Sequence, residues 1–318
     1  MRFVLALLCA SACVPTLGPS TGPIEAPAGG WSWVEFDDTR CANGTPTGLG
    51  IDPREGANDV VIYLMGGGAC WDAGSCFFVK SAWNIDFGYG NAQFSSERFR
   101  SIPLFDRAES PFADASFVYL PYCTGDLHVG TTTQTYVQGR PTSHEGAKNL
   151  DAFLKRLAPT FANARRVFVI GTSAGGFGAQ MNAWRFKAAF PTAEVQVLAD
   201  SAAMVRPAGT RWNEWFAAWK PELPPGCSGC SETTTAWVDT ARRDLKGSRL
   251  ALVTSAEDGL LSTFTGKSGA EFHAGVDELV ANHLPDTLVV PGARHVFLDE
   301  WTSTPGFGDW LKRFRDGP

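Results

Sequence analysis

The stretch Arg166-Val167-Phe168-Val169-Ile170-Gly171-Thr172-Ser173-Ala174-Gly175-Gly176 passes from a β-branched and aromatic run, through a glycine-flanked serine, into a helical pattern that reaches residue 190. It is a G-x-S-x-G motif in strand, turn, helix order. A serine on such a tight turn presents its Oγ above the sheet, with the helix N-terminus below any negative charge that develops there. Glycines two residues to either side leave room for the strained backbone. The bare pattern is common by chance, and the context makes it specific.

Working outward, short apolar runs recur at Asp59–Met65, Ser116–Leu120, Val195–Leu198, Arg249–Thr254 and Thr287–Val290. Continuous rather than alternating apolarity predicts strands buried on both faces. Helical periodicity lies between them. Ala147, Leu150, Leu154 and Leu157 share one face of 143–158, and Phe272, Val276, Leu279, Val280 and Leu284 share one face of 270–284. Segments 174–190, 233–246 and 306–315 also read as helices. Alternating strands and helices predict an α/β fold with a mainly parallel central sheet covered by helices. The Trp-rich stretch 211–231 interrupts the alternation and reads as an insertion that caps or flanks a site.

Composition agrees with a large core. Of 318 residues 44% are hydrophobic, with 22 Phe and 11 Trp, which excludes disorder and low-complexity classes. The 27 basic and 33 acidic residues give a net charge of −6, and with no basic run nucleic-acid binding is disfavoured. No apolar stretch is long enough for a spanning helix. No repeat and no long linker follow residue 30, so a single domain is expected over 31–318.

The first residues carry an apolar run, Phe3–Ala10, and then Ala10-Ser11-Ala12 before Cys13. That is the layout of a signal peptide over 1–12, with cleavage after Ala12 either by ordinary signal peptidase, giving a secreted chain, or at a relaxed lipobox, making Cys13 a lipid-bearing N-terminus that attaches a cell-envelope lipoprotein to its membrane. Residues 13–30, rich in Pro, Gly, Ser and Thr, read as a flexible tether. Cysteine parity supports the lipoprotein version: of eight cysteines, Cys9 leaves with the signal and Cys13 would carry the lipid, leaving Cys41, Cys70, Cys76, Cys123, Cys227 and Cys230. An even set in an exported chain suggests disulfides, with about 15 connectivities open to six cysteines. Short separations make Cys70 with Cys76, and Cys227 with Cys230, the simplest pairs, with Cys41 and Cys123 left over. Cys227-x-x-Cys230 also resembles half a zinc or redox motif, but no second C-x-x-C exists. No metal and no cofactor are expected.

An elbow serine needs a base and an orienting acid, which on this scaffold follow in the order Ser, Asp or Glu, His. Only His273, His283 and His295 lie downstream. The first two fall in an amphipathic helix, off its apolar stripe, and read as solvated. His295 follows the strand run Thr287–Val290 in a loop, where a base belongs. Asp258, just beyond Arg249–Thr254, is the first choice for the acid, with Asp200 and Glu257 as alternatives. Asp286 and Asp299 read as bland. For the oxyanion hole, Ala174 supplies one N–H, and Gly67 and Gly68, after the Asp59–Met65 run, supply others. A phosphate-cradling role for these glycines is disfavoured, since there is no G-K-[ST] and no G-x-G-x-x-G.

Cys41-Ala-Asn-Gly-Thr-Pro-Thr-Gly48, Leu64-Met-Gly-Gly-Gly-Ala-Cys70, Tyr122-Cys-Thr-Gly-Asp126 and Gly171-Thr-Ser-Ala-Gly-Gly176, followed by Asp258 and His295, resemble the pectin acetylesterase / Notum family of serine carboxylesterases. The resemblance implies an α/β-hydrolase-like fold and a triad of Ser173, Asp258 and His295, with Gly67, Gly68 and Ala174 around the oxyanion. It also implies bridges from Cys70 to Cys76 and from Cys41 to Cys123. The family usually has an aromatic residue where this chain has Ala69, and often Cys where it has Thr172. The function expected is an exported ester hydrolase working through an acyl-enzyme, its substrate a small-molecule or polysaccharide ester and most simply an acetylated extracellular polysaccharide. Alternatives are a longer-chain acyl ester or polyester hydrolase, and a non-catalytic carbohydrate-binding lipoprotein. Trp71, Phe77, Phe78 and Trp83 are candidates for a groove or for core. The sequence leaves oligomeric state open.

Overall fold

Each apolar run identified above becomes a strand, and five of the six are buried as continuous apolarity predicts. Thr287–Val290 departs from that expectation, being only partly buried because it is the edge strand of the sheet. A computed structural model describes residues 16–17, 22–96 and 102–317. Its strands are β1 (Thr16–Leu17), β2 (Ser32–Phe36), β3 (Thr47–Asp52), β4 (Asp59–Leu64), β5 (Ser116–Leu120), β6 (Thr132–Val137), β7 (Arg140–His144), β8 (Arg166–Thr172), β9 (Glu194–Asp200), β10 (Leu250–Ser255) and β11 (Thr287–Val290). Its α-helices are α1 (Asn91–Ser96), α2 (Gly146–Thr160), α3 (Ala174–Met181), α4 (Ala183–Ala189), α5 (Arg211–Trp219), α6 (Thr234–Asp244), α7 (Gly259–Thr265), α8 (Gly269–Asn282) and α9 (Phe307–Asp316).

Among the described residues nine strands form one sheet in the order β1-β2-β3-β5-β4-β8-β9-β10-β11. From β5 to β11 every neighbouring pair is parallel, and only β3 runs against its neighbours. Parallel strands joined by helices deliver all their C-terminal ends to one edge, the edge where ligands bind in open α/β sheets. This is the α/β-hydrolase-like arrangement expected. Among the described residues no helix is long and apolar enough to cross a membrane.

Several elements depart from the periodicity reading, each for a physical reason. The segment 174–190 is two helices, because Asn182 turns its Nδ2 to the carbonyls of His128 at 3.0 Å and Gly178 at 2.9 Å. Side chain to backbone bonding of this kind competes with helix continuation. β3 lacked a strand signature because it contains Gly48 and Gly50. A Cβ at Gly48 would come 2.0 Å from the Val34 carbonyl, and one at Gly50 would come 2.3 Å from the Phe94 ring. The antiparallel β6–β7 hairpin was likewise not anticipated.

The signal-peptide reading and Cys13 lie outside the described residues. Part of the expected tether is packed: β1 pairs in parallel with β2, the Ile24 N–H donates to Thr160 Oγ1 at 2.7 Å, and Arg156 Nε donates to the Gly22 carbonyl at 3.0 Å. Ile24 supplies the apolar anchor that the Pro- and Gly-rich composition concealed.

Among the described residues the cysteines pair as Cys41–Cys123, Cys70–Cys76 and Cys227–Cys230. The first spans 82 residues and ties the loop between β2 and β3 to the loop that follows β5. Chain entropy makes it worth about 4 kcal/mol. Replacing Cys41 and Cys123 together by Ser is therefore expected to lower unfolding free energy by about that amount in urea denaturation, and a loss below about 1 kcal/mol would contradict the estimate.

Candidate active site

β8 ends at Thr172, α3 starts at Ala174, and Ser173 between them has φ 52° and ψ −123°. A non-glycine residue held there costs on the order of 1–3 kcal/mol and persists only where its surroundings over-determine it. The surroundings are visible. The Ser173 N–H donates to the Asp200 carbonyl at 2.8 Å, and Thr172 Oγ1 and Tyr63 Oη share a bond of 2.8 Å. Glycine is required at position 66, where a Cβ would stand 2.5 Å from the Thr172 carbonyl oxygen and 3.1 Å from Ser173 Cβ. The chain leaving β4 thus lies directly against the serine.

That chain is the glycine loop. Gly67 and Gly68 have φ of 143° and 74°, and a Cβ at Gly68 would sit 1.9 Å from the Ser81 carbonyl oxygen. The loop is pinned from one side by Trp83 N–H to the Gly67 carbonyl at 2.8 Å and Ala69 N–H to the Ser81 carbonyl at 3.1 Å. From another side, Cys70 N–H donates to the Gly125 carbonyl at 2.8 Å, and Cys70 is bridged to Cys76. Ala174 is the first residue of α3, where an N–H has no intrahelical acceptor. Rigid N–H groups beside a strained serine are what stabilises a developing oxyanion.

A buried polar cluster that sequence reasoning did not assign supports this loop. Asp126 is fully buried and accepts from Thr124 Oγ1 (2.6 Å), His128 N (3.1 Å), Gly130 N (3.2 Å) and Gly146 N (2.7 Å). It thereby folds a tight turn that presents His128, whose Nε2 donates to the Met65 carbonyl at 2.9 Å, one residue before the glycines. Burial holds His128 below its ordinary pKa, against the pull of that carbonyl and of Asp126, so the ring is a neutral strut. Its only sequence signal was the motif Tyr122-Cys-Thr-Gly-Asp126. Cys70, Cys76 and His144 bring potential ligand atoms within 4.8 Å of one another. They do not fit a metal: the two sulfurs are bonded to each other, while His144 Nδ1 and Nε2 are engaged by the Thr124 carbonyl and Tyr136 Oη.

Asp258 and His295 meet although 37 residues separate them: His295 Nδ1 lies 2.8 Å from Asp258 Oδ2. Asp258 is the N-cap of α7, its Oδ1 accepting from Leu260 N at 3.1 Å and Leu261 N at 2.9 Å. Capping fixes the carboxylate, so Oδ2 can aim only at the imidazole. Glu257 N–H to the Gly292 carbonyl and Gly259 N–H to the Ala293 carbonyl stitch the two loops together at 2.9 and 3.1 Å. His295 Nε2 is buried and unpartnered among the described residues. No Ser173 Oγ to Nε2 bond is therefore made in this state, and such bonds often tighten only around substrate.

The other candidates separate from the site. Glu257 lies 3.8 Å from His273 Nδ1, His283 pairs with Asp239, and Asp286 pairs with Arg249. Asp200 does not touch His295; its Oδ2 accepts from Phe297 N and Leu298 N. Burial pushes its carboxyl up to about 6, against the downward pull of those N–H groups and the Ser201 hydroxyl.

The Trp-rich insertion flanks the site. Trp219 Nε1 donates to the Cys70 carbonyl at 2.8 Å, and Trp71, Trp215 and Phe264 pack with ring centroids 5.1–5.6 Å apart, linking the glycine loop to α5 and α7. Of the suggested groove residues, Trp71 belongs to this packing and Phe77 lies under the Arg140 guanidinium at 3.9 Å. Phe78 and Trp83 are open, and with Val79 and Phe87 they are 66–83% exposed.

The sequence model of a family described as pectinacetylesterase matches residues 34–215, more than half of the chain. Curated relatives include the palmitoleoyl-protein carboxylesterase notum1a of Danio rerio, 25% identical over 47% of this chain and 30% of its own length. The palmitoleoyl-protein carboxylesterase NOTUM of Schmidtea mediterranea is 28% identical over 47% of this chain and 29% of its own, and that of Drosophila melanogaster is 26% identical over 46% and 23%. The chain thus spans less than a third of the length of these relatives. The family match contains the glycine loop and the serine elbow but ends before Asp258 and His295, whose pairing is a feature of this chain's own geometry.

Proposed function

The chain belongs to the pectinacetylesterase family, and on that footing we propose that it is a serine carboxylic ester hydrolase. Ser173 Oγ attacks the ester carbonyl while His295 Nε2 takes its proton, and Asp258 holds the imidazole in the tautomer with Nδ1 protonated. The oxyanion is received by the N–H groups of Gly67, Gly68 and Ala174. Collapse expels the alcohol, which takes the proton from His295. Water activated by the same imidazole then releases the acid and regenerates Ser173.

One arrangement carries this reading: the Asp258–His295 bond of 2.8 Å stands at the same sheet edge as the strained Ser173 and the glycine loop. The substrate proposed is an acetyl ester of an extracellular polysaccharide, in keeping with the description of the family. The disulfides fit an exported protein. Cleavage after Ala12 with lipid on Cys13 is the accompanying proposal for its attachment, read by mass spectrometry of the mature N-terminus.

A second reading, hydrolysis of longer acyl esters or polyesters, is favoured by the exposed Phe78, Val79, Trp83 and Phe87. Trp83 is tied to the glycine loop, its Cβ 3.4 Å from where a Cβ at Gly67 would stand. The deciding experiment is hydrolysis of p-nitrophenyl esters from acetate to palmitate, with acetylated pectin and xylan alongside. A steep preference for acetate together with acetate release from polysaccharide is the expected result. A rate that rises with chain length selects the second reading, and failure on every ester would sink both.

A further inference from the structure

We propose that Asp200, together with Ser201, is the positioning residue that locks the loop carrying His295 to the backbone of the nucleophile elbow. The inference deepens the esterase reading and rests on it. β9 lies between β8, which ends at the elbow, and β10, which leads to Asp258. From its C-terminal end Asp200 reaches both ways. Its backbone carbonyl accepts the Ser173 N–H at 2.8 Å, while its Oδ2 accepts the N–H groups of Phe297 at 2.8 Å and Leu298 at 2.7 Å. Ser201 Oγ accepts the Val296 N–H at 2.8 Å and donates to Asp200 Oδ1 at 3.0 Å.

Three consecutive N–H groups after His295 are therefore held by two consecutive residues, the last of β9 and the one that follows it. The hold is needed because Val296 has φ 69°, a region a β-branched residue rarely enters, and Ser201 has φ 52°. Without these acceptors the loop would relax toward ordinary backbone angles and carry the imidazole with it. Asp200 and Ser201 are both fully buried, so water cannot substitute for the lost bonds. A carboxylate suits the task because one oxygen takes two N–H groups while the other takes a hydroxyl.

The test compares the full chain with its Asp200→Ala, Asp200→Asn and Ser201→Ala variants. The readouts are kcat and KM on p-nitrophenyl acetate, urea unfolding, and the downfield proton resonance of the His295–Asp258 bond. Displacing a catalytic group by about an ångström costs about 10²-fold, so Asp200→Ala is expected to lose about that factor in kcat with KM changed less than about threefold. Its imidazole proton should broaden or vanish. Asp200→Asn keeps an acceptor for the two N–H groups and is expected to stay within about tenfold of the parent, with the resonance retained.

Equal losses in the Ala and Asn variants would overturn the proposal, since geometry would then not be what Asp200 supplies. So would an Asp200→Ala chain with parental kcat and an unchanged resonance. Should Asp200→Ala fail to fold, Ser201→Ala decides: a drop of about tenfold in kcat at constant KM supports the lock, and an unchanged kcat overturns it. A parent inactive on every ester would count against the esterase reading alone, and the imidazole resonance would still decide whether Asp200 orders the pair.

Discussion

Ser173→Ala is expected to lower kcat on the best p-nitrophenyl ester by on the order of 10⁴-fold or more, about 5.4 kcal/mol of barrier, while KM and the urea midpoint barely move. The loss is large because in the proposed mechanism the Ser173 alcohol oxygen is the atom that bonds to carbon, and an Ala side chain offers no other nucleophile. What remains is the modest catalysis of an oxyanion hole acting on water. Stability is spared because the Ser173 side chain makes no cap for α3. The same variant separates an enzyme from a carbohydrate-binding protein on the same scaffold: binding of a polysaccharide would be indifferent to it. Activity within tenfold of the parent would remove Ser173 from the mechanism.

Asp258→Asn is expected to cost about 10⁴-fold in kcat with folding left intact. The geometry separates the two effects. Oδ1 caps α7 through Leu260 and Leu261, and the Asn carbonyl oxygen can take over that work. The amide nitrogen must then face His295 Nδ1, where the carboxylate Oδ2 stands at 2.8 Å. A donor at that place forces the imidazole to carry its proton on Nε2, the nitrogen that should accept from Ser173. Asp258→Ala should lose the cap as well and be less stable by about 1 kcal/mol. Steady-state kinetics beside urea unfolding reads both quantities. An Asn variant as active as the parent would mean that another group orients the base, and Glu257, turned toward His273, is poorly placed for it.

Much of the candidate site was legible because its signals are local. The serine, its flanking glycines and the strand before them occupy one stretch of chain, and the glycine loop follows its own strand in the same manner. The choice among Asp258, Asp200 and Glu257 was not local. All three lie at or just past the ends of strands on one sheet edge, and only the direction of each side chain in the folded chain distinguishes them. Asp258 is turned to His295 by the two N–H groups it caps, Asp200 is turned into the core by Phe297 and Leu298, and Glu257 faces outward.

The sequence by itself determined the α/β alternation, the six parallel strands, the elbow and the glycine loop, because apolar periodicity and glycine placement act within a few residues of where they are written. Tertiary structure alone decided the rest. β3 is a strand because Trp33 and Phe94 fill the space beside its glycines, and the Asp126 cluster props the glycine loop through a bond from His128 to Met65, 63 positions apart. Asp200 and Ser201 grip the loop of His295 across 95–98 positions. Hydrogen bonds of that range exist only after the sheet has assembled, since it is the pairing of β4 with β5, and of β9, β10 and β11 in turn, that brings their donors and acceptors together.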